Sequence, residues 1–312
     1  MMPNAPGAGA IRALFQNENP ERVWTAASDV LGRTDPGYDR RRIGAVFADV
    51  VRLFRGEYPG YRAIETLYHD MSHTMDVFLC AVRLTHGVQL SGGRLSGEEL
   101  TLIMLGALLH DIGYAQKDGE AGGTGAQYTA THVQRGIAFM TEYLDRHGLP
   151  PGYVAPLTAI MLSTNPAQAF AAIDFPDPRA RLLAQIVASA DLVGQMADRA
   201  YLEKLLLLYL EFEEAKVGGF ESMQDLLRRT GQFYQSTREK LDGEFSGIYQ
   251  KLALHFKDWF GVDANYYIES VEKNIAYLEQ VLKLDEAEYL NMLRRGGVVQ
   301  KTVALSRADD AG

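Results

Sequence analysis

The sequence predicts an all-α fold. Apolar residues recur every three or four positions rather than alternating, Pro-free stretches run well beyond strand length, and no hairpin or βαβ signal competes. The pattern divides into about ten helices.

A first helix is expected over Arg41 to Arg55, ending where Gly and Pro cluster in residues 56–60. The next covers Ala63 to Thr85, and Gly92-Gly93 breaks the chain. Ser96-Gly97-Glu98-Glu99 has the form of a capping box and starts a helix through Leu109. Its run from Leu100 to Leu109 is apolar nearly all round, which places it at the centre of the fold. The Gly-rich stretch Gly119 to Gly125 lacks the Gly-Lys-Ser/Thr ending of a phosphate loop and is read as a flexible loop or lid. Helices resume over Ala126–His147, Tyr153–Thr164 and Arg179–Ala200. Beyond Tyr201 the helices are long and rich in Leu and Glu. Ile268, Val271, Ile275, Leu278 and Leu282 form a seam too short for most coiled coils, so intramolecular packing is expected, with a homodimer as the other candidate. The end, Ser306 to Gly312, reads as disordered.

Composition narrows the classes of function. With 312 residues, 47% hydrophobic and 23% charged, the chain can bury a sizeable core. A formal charge of −9 argues against nucleic acid or an anionic membrane as partner, since both are bound through Lys and Arg. A phosphate-bearing substrate would need local positive charge, which a bound metal supplies. The single cysteine, Cys80, rules out an intramolecular disulfide and a Cys-based zinc cluster, and its apolar neighbours mark it as core. Neither a secretory signal at Met1 to Ala10 nor a bilayer-length apolar run is visible, so a cytoplasmic location is expected.

A few residues stand out chemically. His69 and His73 are four apart in a helical pattern and are expected on one face. His110-Asp111 ends the apolar run, which puts an imidazole and a carboxylate beside a dry core. A carboxylate there needs a cation or a full set of hydrogen bonds; the alternative is a solvent-facing helix end terminated by Gly113. Asp191 follows small and apolar residues on a predicted buried helix, where an ion pair with Arg181 or Arg199 is its other reading. His132 lies on the helix after the Gly-rich stretch. Mixed His and carboxylate ligands suit divalent ions of intermediate hardness, and two bridged ions suit attack on phosphorus.

His, then His-Asp, then Asp, in this order and on helices, resembles the HD superfamily of metal-dependent phosphohydrolases, and the local sequence resembles its class I cyclic-nucleotide phosphodiesterases. The matching stretches are Tyr68-His69-Asp70-Met71-Ser72-His73-Thr74-Met75-Asp76-Val77, Leu108 to Gly113, Ile160 to Asn165 and Ala190-Asp191-Leu192. The resemblance implies an HD-domain helical bundle with additional C-terminal helices: an N-terminal segment 1–60, a catalytic core 61–200, helices 201–300 packed on it, and a tail 301–312. It implies two divalent ions, the first held by His73, His110, Asp111 and Asp191, with Asp111 bridging to a second that His132 faces. His69 would be the general acid, Tyr68 and Asn165 would line the substrate side, and Asp76 would orient His73 from behind. A substrate-clamping Gln has Gln232, Gln235 and Gln224 as candidates. The chain departs from the family pattern at Gly113-Tyr114, where an Asp-His pair is usual, and at Thr129, where a Glu is usual.

The expected function is hydrolysis of a phosphodiester such as a cyclic nucleotide, by a hydroxide held between metal ions while His69 protonates the leaving oxygen. Two rivals remain: a diiron oxygenase, which would need His147 as a further ligand, and a non-catalytic nucleotide-binding sensor. Which of Mn, Mg, Fe, Ni or Zn is native stays open.

Overall fold

A computed structural model describes residues 17–120 and 122–299, so the expected tail 301–312 lies outside the described residues. The architecture is all-α, and among the described residues the one β feature is an isolated bridge between Tyr61 and Lys117. The helices are α1 (Pro20–Thr34), α2 (Arg41–Arg55), α3 (Met71–Leu90), α4 (Gly97–Leu109), α5 (His132–Arg146), α6 (Val154–Thr164), α7 (Pro178–Ala197), α8 (Tyr201–Glu214), α9 (Met223–Asp242), α10 (Leu252–Phe260), α11 (Tyr266–Val281) and the short α12 (Tyr289–Met292). None is long and apolar enough to cross a membrane.

Two central helices organise the rest. α3 packs on α7, α1, α10 and α4, and is buried on every side from His73 to Val88. α4 is likewise buried at each position from Leu100 to Leu109, and it starts at the expected capping box on Ser96 and Glu99. One continuous hydrophobic core runs from Val23 on α1 to Leu293 beyond α12. Val271 and Leu278 of the C-terminal seam are buried in that core, which makes the seam intramolecular packing.

Several boundaries differ from expectation, among them the start of α5 at His132 rather than Ala126 and the end of α3 at Leu90 rather than Thr85. α1 was not anticipated, although Asn19 caps it through Arg22 N and Pro20 opens its first turn, a combination that marks a helix start. α3 begins at Met71 rather than Ala63. The Asp70 carboxylate accepts from His73 N at 2.9 Å and caps the helix, while the backbone N–H groups of Tyr68 and His69 are taken by the Glu211 carboxylate of α8. A residue whose N–H is donated sideways cannot continue a helix, so His69 lies in the approach to α3 and not on it. The Gly-rich stretch is also more anchored than a free lid. Thr124 donates through N and Oγ1 to Glu214 at 2.9 and 2.8 Å, and the Gln116 amide donates to Gly123 O.

Close helix approach depends on Gly87 of α3, where a Cβ would stand 1.9 Å from Lys251 O at the start of α10. Gly87→Ala should therefore lower stability by about 1–3 kcal/mol, as overpacking does, without altering metal content. Urea denaturation of the two proteins checks this, and an unchanged midpoint would contradict the close approach.

Candidate metal centre

Three elements bring the expected ligands together. His73 stands in the first turn of α3, His110 and Asp111 follow the end of α4, and Asp191 lies on α7. His110 is 1% exposed and Asp111 and Asp191 are 7% exposed, so the pair after α4 is not a solvent-facing helix end. The chain passes from Asp111 into a single turn of 3₁₀ helix, Ile112–Tyr114, and that turn keeps both side chains inward.

The Asp111 Oδ2 atom is 3.1 Å from His73 Nε2 and 3.0 Å from His110 Nε2, and the two nitrogens are 3.2 Å apart. Asp191 Oδ1 lies 3.6 and 3.9 Å from the same nitrogens. Metal–ligand bonds of about 2.0–2.2 Å place neighbouring ligand atoms roughly 2.9–3.6 Å apart at octahedral or tetrahedral angles. His73, His110 and Asp111 have those spacings and form a group that could hold a metal ion, while Asp191 stands at the edge of the range from His73 and just beyond it from His110.

Hydrogen bonding explains why a cation fits better than a proton. His110 Nδ1 is 3.0 Å from Ala107 O, a carbonyl that can only accept, so Nδ1 carries hydrogen and Nε2 is the lone-pair nitrogen of the neutral ring. A proton shared between the two Nε2 atoms would serve both rings. It leaves Asp111 Oδ2 without a hydrogen bond, although that oxygen is buried. An unserved buried carboxylate oxygen costs several kcal/mol, and one divalent ion would contact all three atoms. The residues present therefore fit a metal.

Within the cluster, the acids and imidazoles compensate one another's charge. Burial pushes the Asp111 carboxyl upward, but the His110 and His73 rings outweigh it and hold the group well below the usual range. Burial raises Asp191, which the same histidines only partly offset. Burial would lower His110, yet the charges of Asp111 and Asp191 lift it to about 9.

His132 opens α5 on the other side of Asp111. Its Nδ1 is 2.7 Å from Thr129 O, and its Nε2 is 3.5 Å from Asp111 Oδ1. Desolvation lowers its pKa, so the ring is neutral and presents a lone pair to a carboxylate oxygen. Asp111 thus faces the cage with one oxygen and His132 with the other, the disposition a bridging carboxylate needs.

Several expected roles move. The Tyr68 hydroxyl donates to Gln195 Oε1 at 2.7 Å, and Gln195 Nε2 donates to Asp191 Oδ1 at 3.3 Å. Tyr68 is 5% exposed and packs against Leu207 and Val298, so it braces Asp191 through Gln195 instead of lining an open substrate face. Asp76 accepts from Asn17 Nδ2 at 2.6 Å, a partner other than the expected His73, and burial beside Asp198 lifts it to about 8. Asn165 ends α6, and its side-chain oxygen is used by Ala167 N in a local turn. Gln232 and Gln235 are exposed on α9, and Gln224 is half-buried near its start. His147 stacks on Tyr143 at 4.0 Å beyond the other end of α5, roughly 20 Å from His132 at 1.5 Å per residue. Arg181 lies over Phe170 and Phe175, and among the described residues the ion pairs of Asp191 are with His73 and His110 rather than with Arg181 or Arg199.

One site residue was not anticipated. The Glu211 carboxylate, 1% exposed on α8, binds His69 Nδ1 at 2.6 Å and also takes the N–H groups of Tyr68 and His69. The available signal was a carboxylate four positions after Leu207 on the apolar face of a Leu-rich helix. Tyr114, also unassigned from sequence, packs against both His69 and His132.

Comparison with known proteins adds little to this geometry. A family model described as Npun_R2479-like matches residues 118–242, less than half of the chain; it takes in His132, Asp191 and Glu211 but not His69, His73, His110 or Asp111. No curated protein matches the chain.

Because the ion would be shared by side chains from α3, α4 and α7, its removal should loosen the fold. A chelator is expected to lower the melting temperature of the wild type, since a ligand at 100 times its Kd contributes about 2.7 kcal/mol. Asp111→Asn should bind divalent metal more than roughly 100-fold more weakly and melt at the same temperature with or without chelator. Isothermal titration and calorimetry read both. A chelator shift as large in the variant as in the wild type would contradict the ligand assignment.

Proposed function

We propose that this chain is a metal-dependent phosphohydrolase that cleaves a phosphodiester, with a cyclic nucleotide as the leading substrate class. The observation that supports it best is the His69–Glu211 pair beside the ligand cage. Desolvation alone would lower the His69 pKa, but the Glu211 charge and hydrogen bond outweigh it and raise it to about 9. With Nδ1–H on Glu211, the protonated ring has Nε2–H left to give to a leaving oxygen. Bound divalent ions would supply positive charge for the phosphoryl oxygens and make water acidic enough to attack near neutral pH.

The side chains nearby fit a water nucleophile. Cys80 is fully buried on α3, where desolvation raises its pKa, and the Ser163 hydroxyl donates to Ile160 O. His69 is the acid, Glu211 holds it charged and oriented, and Gln195 and Tyr68 brace Asp191. The oxygenase reading loses support with His147, which lies away from the cluster.

Substrate screening with cyclic mono- and dinucleotides in Mn, Mg, Fe and Ni tests the reaction class. Within it, His69→Ala should keep its metal and lose roughly two to four orders of magnitude in rate. The defect should shrink on a nitrophenyl phosphodiester, whose leaving group needs little protonation. Loss of metal, or equal impairment on both substrates, would remove His69 from the acid role.

The pH dependence gives a separate check. An acid acts in its protonated form, which is populated below its pKa, so activity should fall as pH rises past about 9. Glu211→Gln removes the charge that raises His69 and should move that alkaline limb to lower pH. An unmoved limb would show that Glu211 does not set it.

A further inference from the structure

Each of the two histidines outside the ligand cage is held at one nitrogen: His69 Nδ1 by Glu211, and His132 Nδ1 by Thr129 O. One hydrogen bond fixes the tautomer and direction of an imidazole but leaves its plane free to turn about that bond. The plane is set by whatever packs on the ring face, and here a single side chain packs on both. The Tyr114 ring lies 4.8 Å from His69 with planes at 21°, and 4.7 Å from His132 with planes at 9°. The two imidazoles are 6.4 Å apart and inclined by 29°. Tyr114 is 1% exposed, so its own ring has no open space in which to drift.

Backbone fit holds the ring in place. A Cβ on Gly113 would stand 1.7 Å from His132 O, so the turn that carries Tyr114 abuts the start of α5. A Cβ on Gly125 would stand 2.5 Å from Tyr114 O, which closes the other side. Tyr114 N donates to Asp111 O at 3.2 Å, so the ring belongs to the same turn as the central carboxylate. Aromatic and imidazole faces at this separation attract, and a protonated His69 gains further from the phenol face.

We propose that Tyr114 is a positioning residue whose ring sets the planes of His69 and His132 together, so that the acid and the imidazole facing Asp111 act on one phosphoryl group. The inference rests on the proposed acid role of His69. The ring face is the working part in this proposal, and the hydroxyl, which bonds the Thr129 side chain, is not.

Tyr114→Phe, Tyr114→Leu and Tyr114→Met in the full chain test it, with Met as the flexible substitute of similar bulk should Leu not fold. Nitrogen-15 correlation spectra of the histidine rings in the Mg-loaded protein, metal content, and kcat and KM are measured for each. Phe should keep the His69 and His132 ring resonances and stay within roughly threefold of the wild-type kcat. Leu or Met should shift both resonances and lower kcat roughly 100-fold, as misplaced catalytic groups do, with KM and metal content near wild type. Unchanged ring resonances in Leu and Met, loss of metal, or a Phe variant as impaired as Leu would overturn the proposal. If the wild type hydrolyses no phosphodiester, the functional reading fails, and the ring resonances still decide the placement of the two histidines.

Discussion

The site depends on one constraint: a buried carboxylate oxygen, Asp111 Oδ2, that lies within 3.1 Å of two imidazole nitrogens and receives no hydrogen bond. Three such atoms crowd together only if a positive charge sits among them. The fold supplies the crowding from both ends. α3 and α7 cross at Gly194, where a Cβ would be 3.3 Å from Asp76 O, and this close approach brings His73 level with Asp191. α4, buried along its last ten residues, delivers His110 and Asp111 to the same point.

Around that centre, α8 does what the cage cannot. Glu211 ties the approach to α3 through two backbone bonds and one imidazole bond, which keeps His69 off the helix yet beside it. One turn later Glu214 holds Thr124 of the Gly-rich stretch. At its start, Glu203 Oε1 accepts from Arg295 N, whose guanidinium reaches Arg199 O and Asn274. Asn274 in turn donates to the carbonyls of Met196 and Asp198 at the end of α7. The C-terminal helices are thus joined by polar bonds to the helix that carries Asp191, and the placement of His69 depends on a residue beyond residue 200, Glu211.

Much of this was legible in the sequence where a polar residue interrupts an apolar run. His110-Asp111 after Leu109, and Asp191 after Ala190, announce themselves because a carboxylate in such a setting requires compensation. The Ser96 capping box and the end of α2 at Gly56 were readable from local chemistry, and Gly56 does adopt φ of 70°. Other features were hidden for identifiable reasons. Glu211 stands among Glu213 and Glu214, and only the fold distinguishes a buried carboxylate from its exposed neighbours. The start of α3 was misplaced because competition for backbone N–H groups came from a residue 142 positions away. Asp76 points toward Asn17, a partner that no local pattern links to it. Asn19-Pro20 carried a helix-start signal for α1 that the periodicity alone did not bring out.

The central claim is that His73, His110, Asp111 and Asp191 hold one divalent ion. Crystals grown with manganese, measured at its absorption edge, address it directly. The account expects an anomalous peak bonded at about 2.0–2.3 Å to His73 Nε2, His110 Nε2, Asp111 Oδ2 and an Asp191 oxygen. An anomalous map empty at that point, with His73 and His110 still 3.2 Å apart across a shared proton, would contradict it.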